Sequence, residues 1–286
     1  MQLLHNFFSF LKKEFHNCNN YCKKVSSQKT SQKYNAQRVK GLYDPLSKEF
    51  FKLSRSKLES FLRCARCFYL DRRLGVGHPP GYPFSLNIAV DTLLKKEFDK
   101  CRAEQMPHLF CIENGLDVIP FKDDLIDSWR DSLHGGIQYE VPNTNLMLYG
   151  GVDDIWVDSK TNELIIVDYK ETSKIGAISL DSLNDEQRAS YKRQVEIYQW
   201  LLRKNGFSVS NTAFFVYCNA LTCLDSFNKY LKFDISLLAE NGDDSWVESA
   251  IMNAYYCLQS IEIPQSAEKC SYCQYWNAVT KHINNK

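Results

Sequence analysis

Apolar residues at Leu3, Leu4, Phe7, Phe8, Phe10 and Leu11 open the chain at helical spacing and predict a short amphipathic helix over the first 13 positions. Residues 15–40 are almost free of aliphatics and rich in Ser, Gln, Lys and Asn, the composition of a flexible basic arm outside any packed core. From Ser54 the pattern changes. Leu58, Phe61, Leu62 and Tyr69 recur at helical spacing behind a serine suited to an N-cap, and the Gly/Pro run over 75–83 ends that segment. A second helix is predicted from Ser85 to about Glu104, with Ile88, Leu93, Leu94 and Phe98 on one side, followed by loop-rich sequence to about residue 143.

Two β-rich segments follow, 145–158 and 163–170, separated by the polar turn 159–162, and they read as a hairpin. In the second, Leu164, Ile165, Ile166 and Val167 put apolar side chains on both faces, so this strand is expected at the centre of a sheet covered by helices on both sides. A long helix over 184–205, strands over 212–218 and 230–235, and a helix over 245–259 precede a cysteine-bearing tail. The alternation predicts an α/β fold.

Composition changes this picture only when divided along the chain. The 286 residues are 44% hydrophobic, as in ordinary globular proteins, and nothing approaches the ~20 apolar residues of a bilayer span, so no membrane partner is expected. A net charge of +1 gives no general reason to suspect a nucleic-acid binder. The first 40 residues, however, hold eight basic side chains against Glu14, a net of +7, which leaves −6 for the remaining 246. An arm over 1–40 and one domain over 41–286 are therefore expected. Eleven cysteines cannot all pair with one another, and no basic n-region or small-residue cleavage site marks the start. A reducing, cytoplasmic setting is expected, in which clustered cysteines are metal-ligand candidates.

Asp168 and Lys170, two apart on the second β-segment, share the face begun by Leu164 and Ile166. Asp153 lies on the partner segment behind Gly150 and Gly151, where missing side chains allow close approach by a backbone or ligand. Two carboxylates converging there suit a hard divalent cation, and a neighbouring lysine suits charge building on a phosphate. Taken alone, the common D-x-K tripeptide reads as a strand-end salt bridge, with Asp153 and Asp154 capping a turn. Gln194 and Tyr198, four apart on the long helix, read alone as part of a core stripe with Tyr191, Val195 and Leu202.

The order of these motifs carries more than any one of them. G-x-x-D at 150–153, D-x-K at 168–170 and Q-x-x-x-Y at 194–198, preceded by C-x-x-C-F-Y-L at 64–70, resemble the PD-(D/E)XK nuclease superfamily. Within it, they look like the branch of RecB and AddB nuclease domains and CRISPR-associated adaptation nucleases. The resemblance runs from about Ser54 to Asn277. It implies a restriction-endonuclease-like mixed β-sheet flanked by helices, DNA as substrate, and phosphodiester hydrolysis dependent on Mg²⁺ or Mn²⁺. It further implies Asp153 and Asp168 as metal ligands, Lys170 as the catalytic lysine, and Gln194 with Tyr198 as accessory residues. One departure is that Asp91 falls where the family often has a metal-binding histidine. A carboxylate there either preserves the cation site or marks a catalytically inactive DNA-binding module of the same fold. Lys192 and Arg193, near the site, are expected to help hold a nucleic-acid backbone. No helicase motif is present, so unwinding would come from a partner.

Cys64 and Cys67, and Cys270 and Cys273, are two pairs at ligand spacing, and four thiolates suit either structural Zn²⁺ or an iron–sulfur cluster. The related nucleases combine one upstream with three downstream cysteines around a [4Fe-4S] cluster. Here Val279 stands at the last of those positions and Cys67 supplies an extra upstream thiol, so the count of four is kept as two and two.

Overall fold

A computed structural model describes residues 37–79, 81 and 85–284. The predicted N-terminal helix and nearly all of the basic arm lie outside these residues. Within the last positions assigned to the arm, Arg38 bonds the Asp71 carboxylate at 2.7 Å.

Strand β1 (Phe51–Ser54) leads into helices α1 (Arg55–Arg63) and α2 (Ala65–Arg72), followed by α3 (Ser85–Glu104). The segment expected to be loop-rich contains short elements: α4 (Leu109–Glu113), β2 (Val118–Pro120), α5 (Ile126–Arg130) and β3 (Ile137–Glu140). Then come β4 (Leu146–Gly150), β5 (Asp154–Asp158), β6 (Leu164–Thr172), α6 (Asp185–Lys204), β7 (Thr212–Ala220), β8 (Phe233–Asn241), α7 (Val247–Gln259) and α8 (Ser271–Asn284).

The main sheet has the order β2-β5-β6-β7-β8, with β6 and β7 parallel and the other neighbours antiparallel. β6 is therefore central, as its apolar run implies. Leu164 and Ile166 face one core layer with Val195, Leu201 and Leu202 of α6 and Ile251 of α7. Ile165, Val167 and Tyr169 face the other, with Leu94 and Phe98 of α3 and Trp156 of β5. Covering helices satisfy both faces, and truncating fully buried Ile166 to Ala would cost about 2–5 kcal/mol. The result is the mixed sheet flanked by helices expected of a restriction-endonuclease-like fold.

The structure changes three local expectations. First, 145–158 is two strands: β4 belongs to a separate sheet, β1-β4-β3, and only β5 pairs with β6. The chain turns between them at Gly150 and Gly151. A Cβ on Gly150 would stand 2.6 Å from the Tyr198 ring, and one on Gly151 would stand 2.7 Å from Ser132. The close approach anticipated from the two glycines is thus made by side chains of the protein itself. Second, the helical pattern from Ser54 is interrupted at Cys64, whose extended backbone (φ −162°, ψ 104°) ends α1 and begins α2. Third, α3 buries Leu94, Phe98 and Arg102, while Ile88 and Leu93 are exposed.

Helix α6 forms where its signals agree. The Asn184 side chain caps the Gln187 N–H at 2.8 Å, Asp185 and Glu186 lie in the first turn, and Arg203 and Lys204 lie in the last. Among the described residues no helix is long and apolar enough to cross a membrane.

Candidate active site

Helix α6 lies over the β6 face that carries Asp168 and Lys170, and the three elements of the site meet there. Gln194 Nε2 donates to Asp168 Oδ1 at 2.7 Å and lies 3.4 Å from the Tyr198 hydroxyl. Lys170 Nζ donates to Gln194 Oε1 at 3.5 Å, forms an ion pair with Asp168 Oδ2, and sits 4.7 Å above the centre of the Tyr191 ring. Asp168 is 1% exposed, so this pair is held almost without water. Asp153 precedes β5 by one residue, and its Oδ2 accepts the Tyr169 N–H at 3.0 Å. The ladder pairs Asp154 with Val167, so the next step along it sets Asp153 opposite Asp168.

Asp91 approaches from α3. Lys95, one turn on, pairs with Asp91 at 2.8 Å and reaches Asp153 at 3.8 Å, so one ammonium stands between two of the candidate ligands. Glu171, on the α3 side of β6, accepts from Asn87 Nδ2 at 3.2 Å. Its other oxygen is buried without a hydrogen-bond donor.

Burial pushes the Asp168 carboxyl up to about 7; Lys170 opposes the shift and Asp153 adds to it. Burial alone would lower Lys170, but the charges of Asp168 and Asp153 outweigh it and raise its pKa, so the ammonium is the stable form. Burial also raises Asp91, with Lys95 opposing and Asp153 reinforcing. Glu171 is raised by burial and by Asp91 and Asp153. Asp153 is thus the common neighbour of three carboxylates, each pushed toward its neutral form by burial and crowding. A cation relieves that crowding. Every donor is a carboxylate oxygen, so by donor chemistry these residues suit a hard divalent cation, although among the described residues only Cys64, Cys67, Cys270 and Cys273 gather three or more ligand atoms closely enough to hold an ion as they stand.

Neighbouring Asp154 is set apart from this group. It is fully buried, accepting from Arg130 at 2.8 Å, from the Tyr169 hydroxyl at 2.9 Å, and from Arg102. Lys192 and Arg193, expected beside the site to contact a nucleic-acid backbone, are engaged within the protein. Lys192 pairs with Glu240 at 3.4 Å and Arg193 with Glu59 at 2.7 Å. Sequence reasoning missed Lys95 and Glu171. The i,i+4 spacing of Asp91 and Lys95 was an available signal. Glu171 had none, because strand alternation sends it to the face opposite Asp168 and Lys170.

The four predicted cysteines come together as well. Cys64 lies 3.8 Å from Cys273, and Cys67 lies 3.5 Å from both Cys270 and Cys273, sulfur to sulfur. All four sulfurs lie within 4.8 Å of one another, a spacing that fits a bound metal. Burial raises the Cys64 thiol, but backbone N–H groups of Ala267 and Cys67 outweigh it and bring it to about 7. Cys18 and Cys22 lie outside the described residues.

Residues 124–278, more than half of the chain, match the family model of the PD-(D/E)XK nuclease superfamily. The match contains Asp153, Asp168, Lys170, Gln194, Tyr198, Cys270 and Cys273, and begins after Asp91, Cys64 and Cys67. No curated protein matches the chain.

Proposed function

The chain belongs to the PD-(D/E)XK nuclease superfamily, and on that premise we propose that it is a Mg²⁺- or Mn²⁺-dependent DNA nuclease of the RecB/AddB-like branch. The observation that carries this reading is the contact of Asp168, Lys170 and Gln194, with Asp153 at the adjoining strand break. Asp153 and Asp168 would hold the cation, with Asp91 as a third carboxylate. Bound there, a divalent ion supplies Lewis-acid polarisation of the scissile phosphate and a more acidic water.

The protein's own groups have separable tasks. Lys170, cationic at neutral pH, acts by charge: it orients the attacking water and offsets the negative charge that accumulates on phosphorus, rather than removing a proton. Gln194 holds the Asp168 carboxylate through its N–H and the Lys170 ammonium through its carbonyl, fixing the separation of the two. Tyr198 packs behind it and closes the interior end, its ring meeting the backbone at Gly150. The partly exposed rim at Asp153 is the side from which a phosphodiester enters. DNA is the partner, held by the basic arm, and duplex opening falls to a separate helicase. A role in cytoplasmic DNA repair follows from that branch of the superfamily.

A second reading has its own observation. Lys95 bridges Asp91 and Asp153, so an ammonium supplies positive charge that a metal would otherwise supply, as expected of a silent DNA-binding module. Incubating purified protein with DNA under Mg²⁺ or Mn²⁺ separates the two. Cleavage that disappears in Lys170→Ala and Asp168→Ala supports the nuclease. Retention of DNA without cleavage in any divalent metal supports the silent module.

A further inference from the structure

We propose that Cys64, Cys67, Cys270 and Cys273 bind a single tetrahedral Zn²⁺ ion, in place of the four-iron cluster held by similar nucleases, and that this ion clamps α1 and α2 to α8. Four thiolates around one ion at a metal–sulfur distance of about 2.3 Å define a tetrahedron whose sulfurs stand ~3.8 Å apart. A four-iron cube carries a separate iron, and outside it a separate sulfur, at each corner, which spreads the cysteine sulfurs to roughly 6 Å. The separations here are 3.5, 3.5 and 3.8 Å, and no pair exceeds 4.8 Å. The cage is the size of one ion. To admit a cube, α2 and α8 would have to move apart.

The arrangement of ligands agrees. Cys64 stands at the N-cap of α2 with Cys67 in its first turn, and Cys270 directly precedes α8 with Cys273 in its first turn. Each pair is a C-x-x-C at a helix start, so two equivalent halves supply two sulfurs apiece. The three-sulfur downstream half of the clustered relatives is broken by Val279. The backbone N–H groups of Cys67 and Ala267 bond the Cys64 sulfur, and Arg66 and Lys269 line the adjoining pockets, opposing the net negative charge of an ion with four thiolates, while Arg63 there is paired with Glu186. Among the described residues no other group of three or more Cys, His, Asp or Glu ligand atoms comes together in this way.

The clamp reaches toward the candidate active site through α1. Arg63 pairs with Glu186 at 2.7 Å, and Glu59 pairs with Arg193, next to Gln194. The ion joins positions more than 200 residues apart, closing the whole domain into a loop.

The test uses the full chain, expressed in iron-replete medium and purified anaerobically, and does not depend on nuclease activity. Metal analysis is expected to give one zinc per chain without acid-labile sulfide, from a colourless protein. X-ray absorption at the zinc edge should report four sulfurs at about 2.3 Å. Cys67→Ser combined with Cys270→Ser should lose the zinc. If that variant does not fold, exchange of zinc for Co²⁺ in the intact protein provides the same evidence, through the visible bands of a tetrahedral thiolate centre. Iron in any form, labile sulfide, or four titratable thiols with no metal would overturn the proposal.

Discussion

Asp153 and Asp154 are consecutive, yet the first sits at the rim with its carboxylate on the Tyr169 N–H, and the second is fully buried between Arg102 and Arg130. The bend after Gly151 turns one acid toward the candidate cation site and the other into the core. The two should therefore fail differently. Asp154→Ala leaves Arg102 and Arg130 with only the more exposed Asp99 as a carboxylate partner and is expected to cost up to about 3–5 kcal/mol. Asp153→Ala, at a partly exposed position, should cost less than about 1 kcal/mol while removing nuclease activity. Denaturant melts of both variants, beside a cleavage assay, check the pair. Equal destabilisation would mean that Asp153 also belongs to the core.

Gln194 touches Asp168 and Lys170 but is itself held mainly by these contacts and Tyr198. Gln194→Ala is expected to lower activity or Mn²⁺ affinity by about 10- to 100-fold, as removal of an orienting partner of a metal ligand typically does, with an unchanged melting temperature. Gln194→Glu places another carboxylate against Asp168 and should be worse than Ala at pH 8. An effect under twofold in both would show that Gln194 only fills space.

Burial raises Asp168 to about 7, so below that pH a proton competes for the carboxylate that the cation needs. Mn²⁺ affinity should rise with pH and level off above about 7, as read by calorimetry on the wild type without DNA. The sign for stability is opposite. A carboxyl whose folded pKa lies above its unfolded value of 3.8 stabilises the metal-free protein below that value and loses its contribution as pH rises through 7. Metal-free Asp168→Asn should accordingly melt higher than wild type at pH 8, with the gap narrowing through pH 5 and closing below about pH 3.8.

Much of this site follows from local rules. Strand alternation puts Asp168 and Lys170 on one face, helical spacing puts Gln194 and Tyr198 on one side, and the apolar run Leu164–Val167 identifies the central strand. These are short-range regularities that hold whatever surrounds them. The break between β4 and β5 is different, because both segments have strand composition, and it depends on the pairing of β4 with β1 and β3 and on the close approach of Tyr198 and Ser132 to Gly150 and Gly151. Leu93 and Ile88 mislead because apolar spacing shows that a helix has a face without showing how much of it the sheet reaches. The roles of Asp154 and Glu171 depend on which helix covers which side of β6. That is decided by the assembled fold.

Composition bounds the basic arm at residue 40, but Arg38 is joined to Asp71 at 2.7 Å, so an informative truncation ends at 36. Deleting residues 1–36 should weaken DNA binding and flatten its salt dependence, by roughly 0.9 in log–log slope for each phosphate that the arm neutralises. Filter binding across a salt series measures it. Identical slopes would reduce the arm to a solubilising tail.

The proposed function requires Lys170 and Asp168 to form a metal-dependent phosphodiesterase centre. Its most direct measurement is the single-turnover cleavage rate of an end-labelled DNA in Mn²⁺, for wild type and for folded Lys170→Ala. The wild type is expected to show metal-dependent cleavage, abolished by chelation, and the variant a rate at least about 100-fold lower. Equal rates in the two proteins, or cleavage that survives chelation, would contradict it.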